Sequence, residues 1–280
     1  MPGYDHGNCR AAGPARHDAR VSDEPEQVWV TTTDDRRLSV LVRRHHGGVP
    51  ALLIHGFGSN GRANWGVTGW WRDLDRAGID WAAVDLRGHG LSDRPHLPAA
   101  YSLDRMLADL GRVLEPFDRW FGGPSEIDLV GYSLGGRLTA ELAATGSHRL
   151  RRLVIGGQNG SGIMTGVDRE DLAAAFAGHS ASRAAARLAH IAGAVPGNDP
   201  EALHALVSGM IAEGRVVRPA PGTELPTLLV VGENDPIAAG AGAWLDRMAD
   251  GRLLTIPGRN HVSVVTSSVY RSAAIDFLTS

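Results

Sequence analysis

The chain has no lysine: all 28 of its basic residues are arginine. Without a side-chain amine no Schiff base can form with a carbonyl substrate or with pyridoxal phosphate, which removes whole classes of enzyme. Cysteine is nearly as scarce. The single Cys9 excludes an intramolecular disulfide framework and a cysteine-rich metal site, and it fits a reducing, cytoplasmic setting. No apolar run approaches the length of a membrane span, and residues 1–24 lack the hydrophobic stretch of a secretory signal, so neither membrane association nor export is expected. The formal charge is only −3, with Arg, Asp and Glu interspersed, and this provides no basic field for nucleic acid. No GxGxxG follows the first strand, no GxxxxGK[ST] occurs, and no His, Cys, Asp and Glu spacing is that of a metal site. No cofactor and no metal is therefore expected.

What is present is an ordinary hydrophobic fraction of 43% in 280 residues, enough for one large α/β domain with a well-buried core. Residues 1–27 have scattered charge and no apolar periodicity and read as a flexible tail. From there, short apolar runs alternate with amphipathic segments, the pattern of a mainly parallel sheet covered by helices. VWVTTT (28–33) and LSVLVRR (38–44) form a hairpin. ALLI (51–54), WAAVDL (81–86), IDLV (127–130), RLVIGG (152–157), TLLVV (227–231) and LLTI (253–256) complete eight strands. Helices are expected at 62–77, 102–121, 133–144, 241–249 and 267–278. The Ala-rich helical stretch at about 158–224 exceeds what one crossover needs and reads as an inserted helical cap.

One hexapeptide carries chemistry. GYSLGG (131–136) directly follows the apolar run IDLV and opens a helix whose stripe is Leu134, Leu138 and Leu142. A serine between two glycines at a strand-to-helix turn is the G-x-S-x-G nucleophile elbow, with Ser133 as nucleophile. Its partners should stand at the carboxyl ends of other strands. After TLLVV comes GENDP, where Asp235 is the acid and Glu233 its competitor; after LLTI comes PGRNH, where His261 is the base. GGQNG, the corresponding place one strand earlier, holds no carboxylate. HGFGSN (55–60) is a glycine-rich turn whose Phe57 N–H, with that of Leu134, is read as the oxyanion hole; His55 reads as structural. For the substrate pocket, Trp65, Met164 and Phe176 are the candidates, with Trp70 and Trp71 assigned to the core. Arg183 and Arg187 either meet a substrate carboxylate or form a solvated helix face.

HGFGSN, DLRGHGLSD (85–93), GYSLGG, GENDP and PGRNH, in that order, resemble the α/β-hydrolase superfamily, in its serine-nucleophile, short-capped branch, over about residues 28–280. The resemblance implies strand order 1-2-4-3-5-6-7-8 with strand 2 antiparallel, a cap roofing the site, and a structural role for DLRGHGLSD. It implies hydrolysis of an apolar ester, lactone or thioester through an acyl-enzyme. Two alternatives stay open: the same triad used for carbon–carbon hydrolysis, haloperoxidase-like or lyase and cyclase chemistry, and a non-catalytic binding protein for a small ligand. HGFGSN lacks the third glycine of the HGxGxG loop common in carbon–carbon hydrolases.

Overall fold

The runs ALLI and WAAV contain no polar side chain to turn outward, so strands built from them are stable only where both sheet faces are covered. A computed structural model describes residues 24–45, 47–123, 126–146, 149–161, 164, 166–214 and 218–280; most of the expected tail, with Cys9, lies outside them. In it β3 (Ala51–Ile54) and β4 (Trp81–Val84) pair in parallel from Ala51↔Trp81 to Ile54↔Val84 and are buried throughout. Around them β1 (Glu26–Thr31), β2 (Arg37–Arg43), β5 (Ile127–Tyr132), β6 (Leu150–Gly156), β7 (Thr227–Gly232) and β8 (Gly251–Ile256) complete an eight-stranded sheet in the order β1-β2-β4-β3-β5-β6-β7-β8. β2 runs antiparallel to both neighbours and every other pairing is parallel. This is the expected α/β architecture and strand order.

Period-2 alternation assigns successive side chains to opposite faces. Leu52 and Leu129 join one core, while Leu53 and Val130 join the other. Helices α2 (Leu103–Leu114) and α4 (Leu134–Ala144) cover the first face through Leu110 and Leu138. The second is covered by α1 (Trp70–Arg76) and α9 (Ser268–Thr279), through Trp70, Leu74, Tyr270 and Phe277. Between β6 and β7 stand α5 (Arg169–Phe176), α6 (Arg183–Ala194) and α7 (Pro200–Glu213). They join the first core through Leu172, Ala185 and Leu206. Among the described residues no helix is long and apolar enough to cross a membrane.

Three expected helices differ. The segment 62–77 is broken into a π-type turn at Arg62–Gly66 and α1, because Gly69 takes a left-handed φ of 88° that ends one helical path before the next begins. The segment 102–121 is broken at Pro116, which has no N–H to donate and whose ring crowds the preceding turn; a short α3 (Phe117–Phe121) follows. The segment 241–249 keeps only four helical residues, α8 (Gly242–Leu245).

Candidate active site

Ser133 stands between β5 and α4 with φ 54° and ψ −112°, one of two non-glycine residues with positive φ among those described. Such a conformation costs about 1–3 kcal/mol and persists only where the surroundings enforce it. The flanking glycines show how. A Cβ at position 131 would lie 2.2 Å from Thr139 Oγ1 and 2.4 Å from the Gly135 carbonyl; one at position 135 would lie 2.0 Å from the Ile54 carbonyl. Only glycine lets β5 turn this closely past α4 and β3. The end of β6 completes the clamp: Ser133 N–H donates to Gly156 C=O at 2.8 Å, and buried Gln158 donates from Nε2 to Ser133 C=O at 2.9 Å.

The loops after β7 and β8 bring two further groups to this point. His261 Nε2 is 3.0 Å from Ser133 Oγ, and its Nδ1 is 2.8 Å from Asp235 Oδ2. The Asp235 side chain is fully buried, and its other oxygen accepts the N–H groups of Ile237 at 2.9 Å and Ala238 at 3.3 Å, so one carboxylate edge is fixed by backbone and the other is left for the imidazole. Glu233 is turned elsewhere, accepting Gly258 N–H at 2.7 Å. The hydroxyl of Tyr132 donates to the carbonyl of His261, fastening the β8 loop to the residue before the serine.

Phe57 and Leu134 border one cavity with Ser133. Leu134 opens α4, where an N–H has no intrahelical acceptor. Gly58 N–H is committed to His89 Nε2 at 3.0 Å, whereas Phe57 N–H has no hydrogen-bond partner among the described residues. His55 and His89 act as neutral connectors. His55 donates from Nδ1 to Gly56 C=O at 2.8 Å and accepts Leu86 N–H at 3.0 Å; His89 donates from Nδ1 to Arg87 C=O at 3.1 Å. Burial pulls their pKa values down to about 4 and about 3, so both rings stay uncharged at neutral pH. Asp85, raised by burial, accepts the N–H groups of Gly61 at 2.7 Å and Leu91 at 3.0 Å.

The cavity holds about 480 Å³ and is roofed by α6, whose residues Ala184, Leu188 and Ile191 recur at helical spacing along its wall, with Val195 just past the helix end. Met164 reaches it. Trp65 and Phe176, expected to line it, do not: Trp65 is fully buried on the far core, edge-on to Trp70 at 5.1 Å, and Phe176 packs edge-on against His204 at 5.1 Å. The amphipathic π-type turn directs Trp65 inward, away from the mouth. Arg187 and His190 share the α6 wall, whereas Arg183 is exposed and does not reach it. Gln158 and Tyr132 went unassigned in the sequence; Gln158 lies where a carboxylate was sought, and a hydrogen-bonding amide there was its only sign. Among the described residues, no three His, Cys, Asp or Glu side chains group so as to hold a metal ion.

Against known proteins, the profile of the alpha/beta hydrolase fold family matches residues 50–179. A 2-hydroxy-6-oxo-2,4-heptadienoate hydrolase of Pseudomonas putida is 35% identical over 121 residues, 40% of this chain and 38% of that protein. A putative 2-succinyl-6-hydroxy-2,4-cyclohexadiene-1-carboxylate synthase of Bacillus subtilis is 28% identical over 130 residues, covering 46% and 43%. The matched stretch thus spans less than half the length of these relatives. Among solved structures, a thermophilic esterase from Thermogutta terrifontis superposes with a TM-score of 0.68 at 20% identity, covering 91% of this chain and 98% of that one; at that identity the likeness is one of fold. Residues 50–179 thus match the α/β-hydrolase family, and the chain carries the fold of that superfamily.

Proposed function

We propose that the protein is a serine hydrolase that cleaves a carboxylic ester or lactone through an acyl-enzyme. The observation that carries this reading is the unbroken chain from Ser133 Oγ through His261 to buried Asp235, at 3.0 and 2.8 Å, at the wall of an apolar cavity. A serine hydroxyl does not ionise near neutral pH, so it attacks only as His261 Nε2 removes its proton. Asp235 holds the Nδ1–H tautomer and stabilises the imidazolium that forms. The carbonyl π pair moves onto oxygen, which the N–H groups of Phe57 and Leu134 meet, a donor of this kind being worth about 3–4 kcal/mol in the transition state. As the tetrahedral adduct collapses, His261 returns the proton to the leaving alkoxide. Water, deprotonated by the same nitrogen, then releases the acid and regenerates Ser133.

A second reading keeps this machinery and changes the bond: hydrolysis of a carbon–carbon bond next to a ketone. It is favoured by the heptadienoate hydrolase relative and by Arg187, a cation on an apolar wall with no acidic partner among the described residues. Half-buried on that wall, its guanidinium is placed to meet a substrate carboxylate. Turnover of nitrophenyl esters and of a 2-hydroxy-6-oxo-dienoate by wild type and Ser133→Ala tests both. Ester turnover lost in the variant supports the first reading; dienoate cleavage with little ester turnover supports the second. Activity retained by Ser133→Ala would overturn both.

A further inference from the structure

The turn between α6 and α7 is clasped to the body of the protein at three points. Arg94 donates to Gly197 C=O at 2.9 Å, and His96 bridges Asp199 at 2.8 Å and Glu201 at 3.2 Å. The third point is Asn198. From its single Nδ2 it donates to Ala192 C=O, near the end of α6, at 2.9 Å and to Gly58 C=O at 2.7 Å. An amide nitrogen carries two hydrogens, so both bonds form at once, and two carbonyls facing it fix the orientation of the amide.

Gly58 belongs to the loop that carries Phe57 N–H, and this loop's other ties come from within itself, from the π-type turn and from the loop after β4. Gly56 N–H goes to Asn64 Oδ1 at 3.3 Å, Gly58 N–H to His89 Nε2 at 3.0 Å, Ser59 N–H to Gly56 C=O at 3.2 Å, and His55 Nδ1 to Gly56 C=O. Gly58 C=O is instead held from the α6–α7 turn. The approach is close: Gly58 has φ +67°, and a Cβ there would lie 2.7 Å from Ile191 Cγ2 and 2.8 Å from the Ile191 carbonyl. Ile191 is also a wall of the cavity. One helix therefore faces the substrate space on one side and the loop of Phe57 on the other, with Asn198 pinning the two together.

We propose that Asn198 is a positioning residue that sets the Phe57 donor, so that seating of α6 over a bound substrate and completion of the oxyanion hole are one event. This rests on the serine-hydrolase reading. In physical terms, the Asn198 bond to Gly58 C=O fixes the Gly58–Ser59 peptide, whose Ser59 N–H holds Gly56 C=O on the peptide that carries Phe57 N–H, so that this donor keeps its aim without reorganisation when charge arrives.

The test is reversible inhibition by an aryl trifluoromethyl ketone, whose hemiketal oxygen loads the oxyanion hole, with kcat and KM for a nitrophenyl ester. Wild type, Asn198→Ala, Asn198→Ser and Arg94→Ala are compared, with folding followed by circular dichroism. We expect Asn198→Ala to lose tenfold or more in ketone affinity and in kcat with KM within about threefold, and Asn198→Ser, which keeps one donor, to fall between. Arg94→Ala, which loosens the same turn without touching Gly58, should bind the ketone like wild type. Folded Asn198→Ala with wild-type ketone affinity, or equal losses in Asn198→Ala and Arg94→Ala, would overturn the proposal while leaving the hydrolase reading intact. Failure of wild type itself to form the adduct would overturn both.

Discussion

A hydroxyl, an imidazole and a carboxylate become a catalytic unit only if each is held in one state, and the residues around them do the holding. Asp235 keeps one oxygen on the backbone and presents the other to His261. Replacing it by Asn preserves the first contact and forces the wrong imidazole tautomer, so we expect Asp235→Asn to lose about 10³–10⁴ in kcat with the thermal midpoint nearly kept. Glu233→Gln should stay within a few fold, since among the described residues its carboxylate holds only Gly258 N–H. Steady-state rates of the two variants on one ester decide between them. Arg187→Met should raise KM for a carboxylate-bearing substrate about tenfold and leave a neutral ester unchanged; equal effects on both would remove Arg187 from recognition. At this scale Ser133, Asp235 and His261 were legible as candidates because they stand on the turns that leave β5, β7 and β8, Ser133 directly after its strand and the other two a few residues further on. Trp65 was not, because neighbouring tryptophans on an amphipathic turn do not reveal which of them faces inward.

Among the elements, α4 lies against β3 beneath Ser133 with no room for a side chain between them. A methyl group at position 135 would press on the Ile54 and His55 carbonyls at 2.0 and 2.7 Å, and backbone has no rotamer with which to yield. Gly135→Ala is therefore expected to destabilise by several kcal/mol or to prevent folding, as thermal unfolding or soluble yield would show. Gly193, within α6, has nothing within 4 Å of an added Cβ. Gly193→Ala should stabilise by about 0.5–1 kcal/mol through the lost backbone entropy of glycine, and a fall in the midpoint would contradict this. Strand positions were legible to within two residues, because β3, β4, β5 and β7 have no polar face. Helix continuity was not: apolar spacing runs on through Gly69 and Pro116, and only the backbone chemistry of those residues breaks it.

Across the whole molecule, two cores and a buried ionic cluster join the sheet to its loops. Arg87 bridges Asp109 at 2.8 Å and Asp34 at 2.7 Å, tying the β1–β2 turn to α2. The two buried histidines make the assembly acid-sensitive. Unfolded histidine takes a proton near 6.5, while folded His55 and His89 do so only near about 4 and about 3. Between these values the unfolded chain holds more protons, so their contribution falls as pH falls, by about 2 kcal/mol each at pH 5. Denaturant unfolding at pH 7 and pH 5 should show a loss about 2 kcal/mol smaller in His89→Gln than in wild type; equal losses would contradict the assignment. The strand order was not written in periodicity and came only from the resemblance to the α/β-hydrolases that the motifs carry. A roofing cap was expected, but the residues that line it were hidden for a different reason: a helix such as α6 has two half-apolar faces, and the sequence alone does not choose between them.

The central claim is that His261 and Asp235 make Ser133 a nucleophile. Its most direct test is reaction of the intact chain with a fluorophosphonate, followed by peptide mapping. We expect one adduct on Ser133, formed by wild type within minutes and at least a hundredfold more slowly by His261→Gln. No adduct on Ser133, or undiminished labelling without the imidazole, would contradict it.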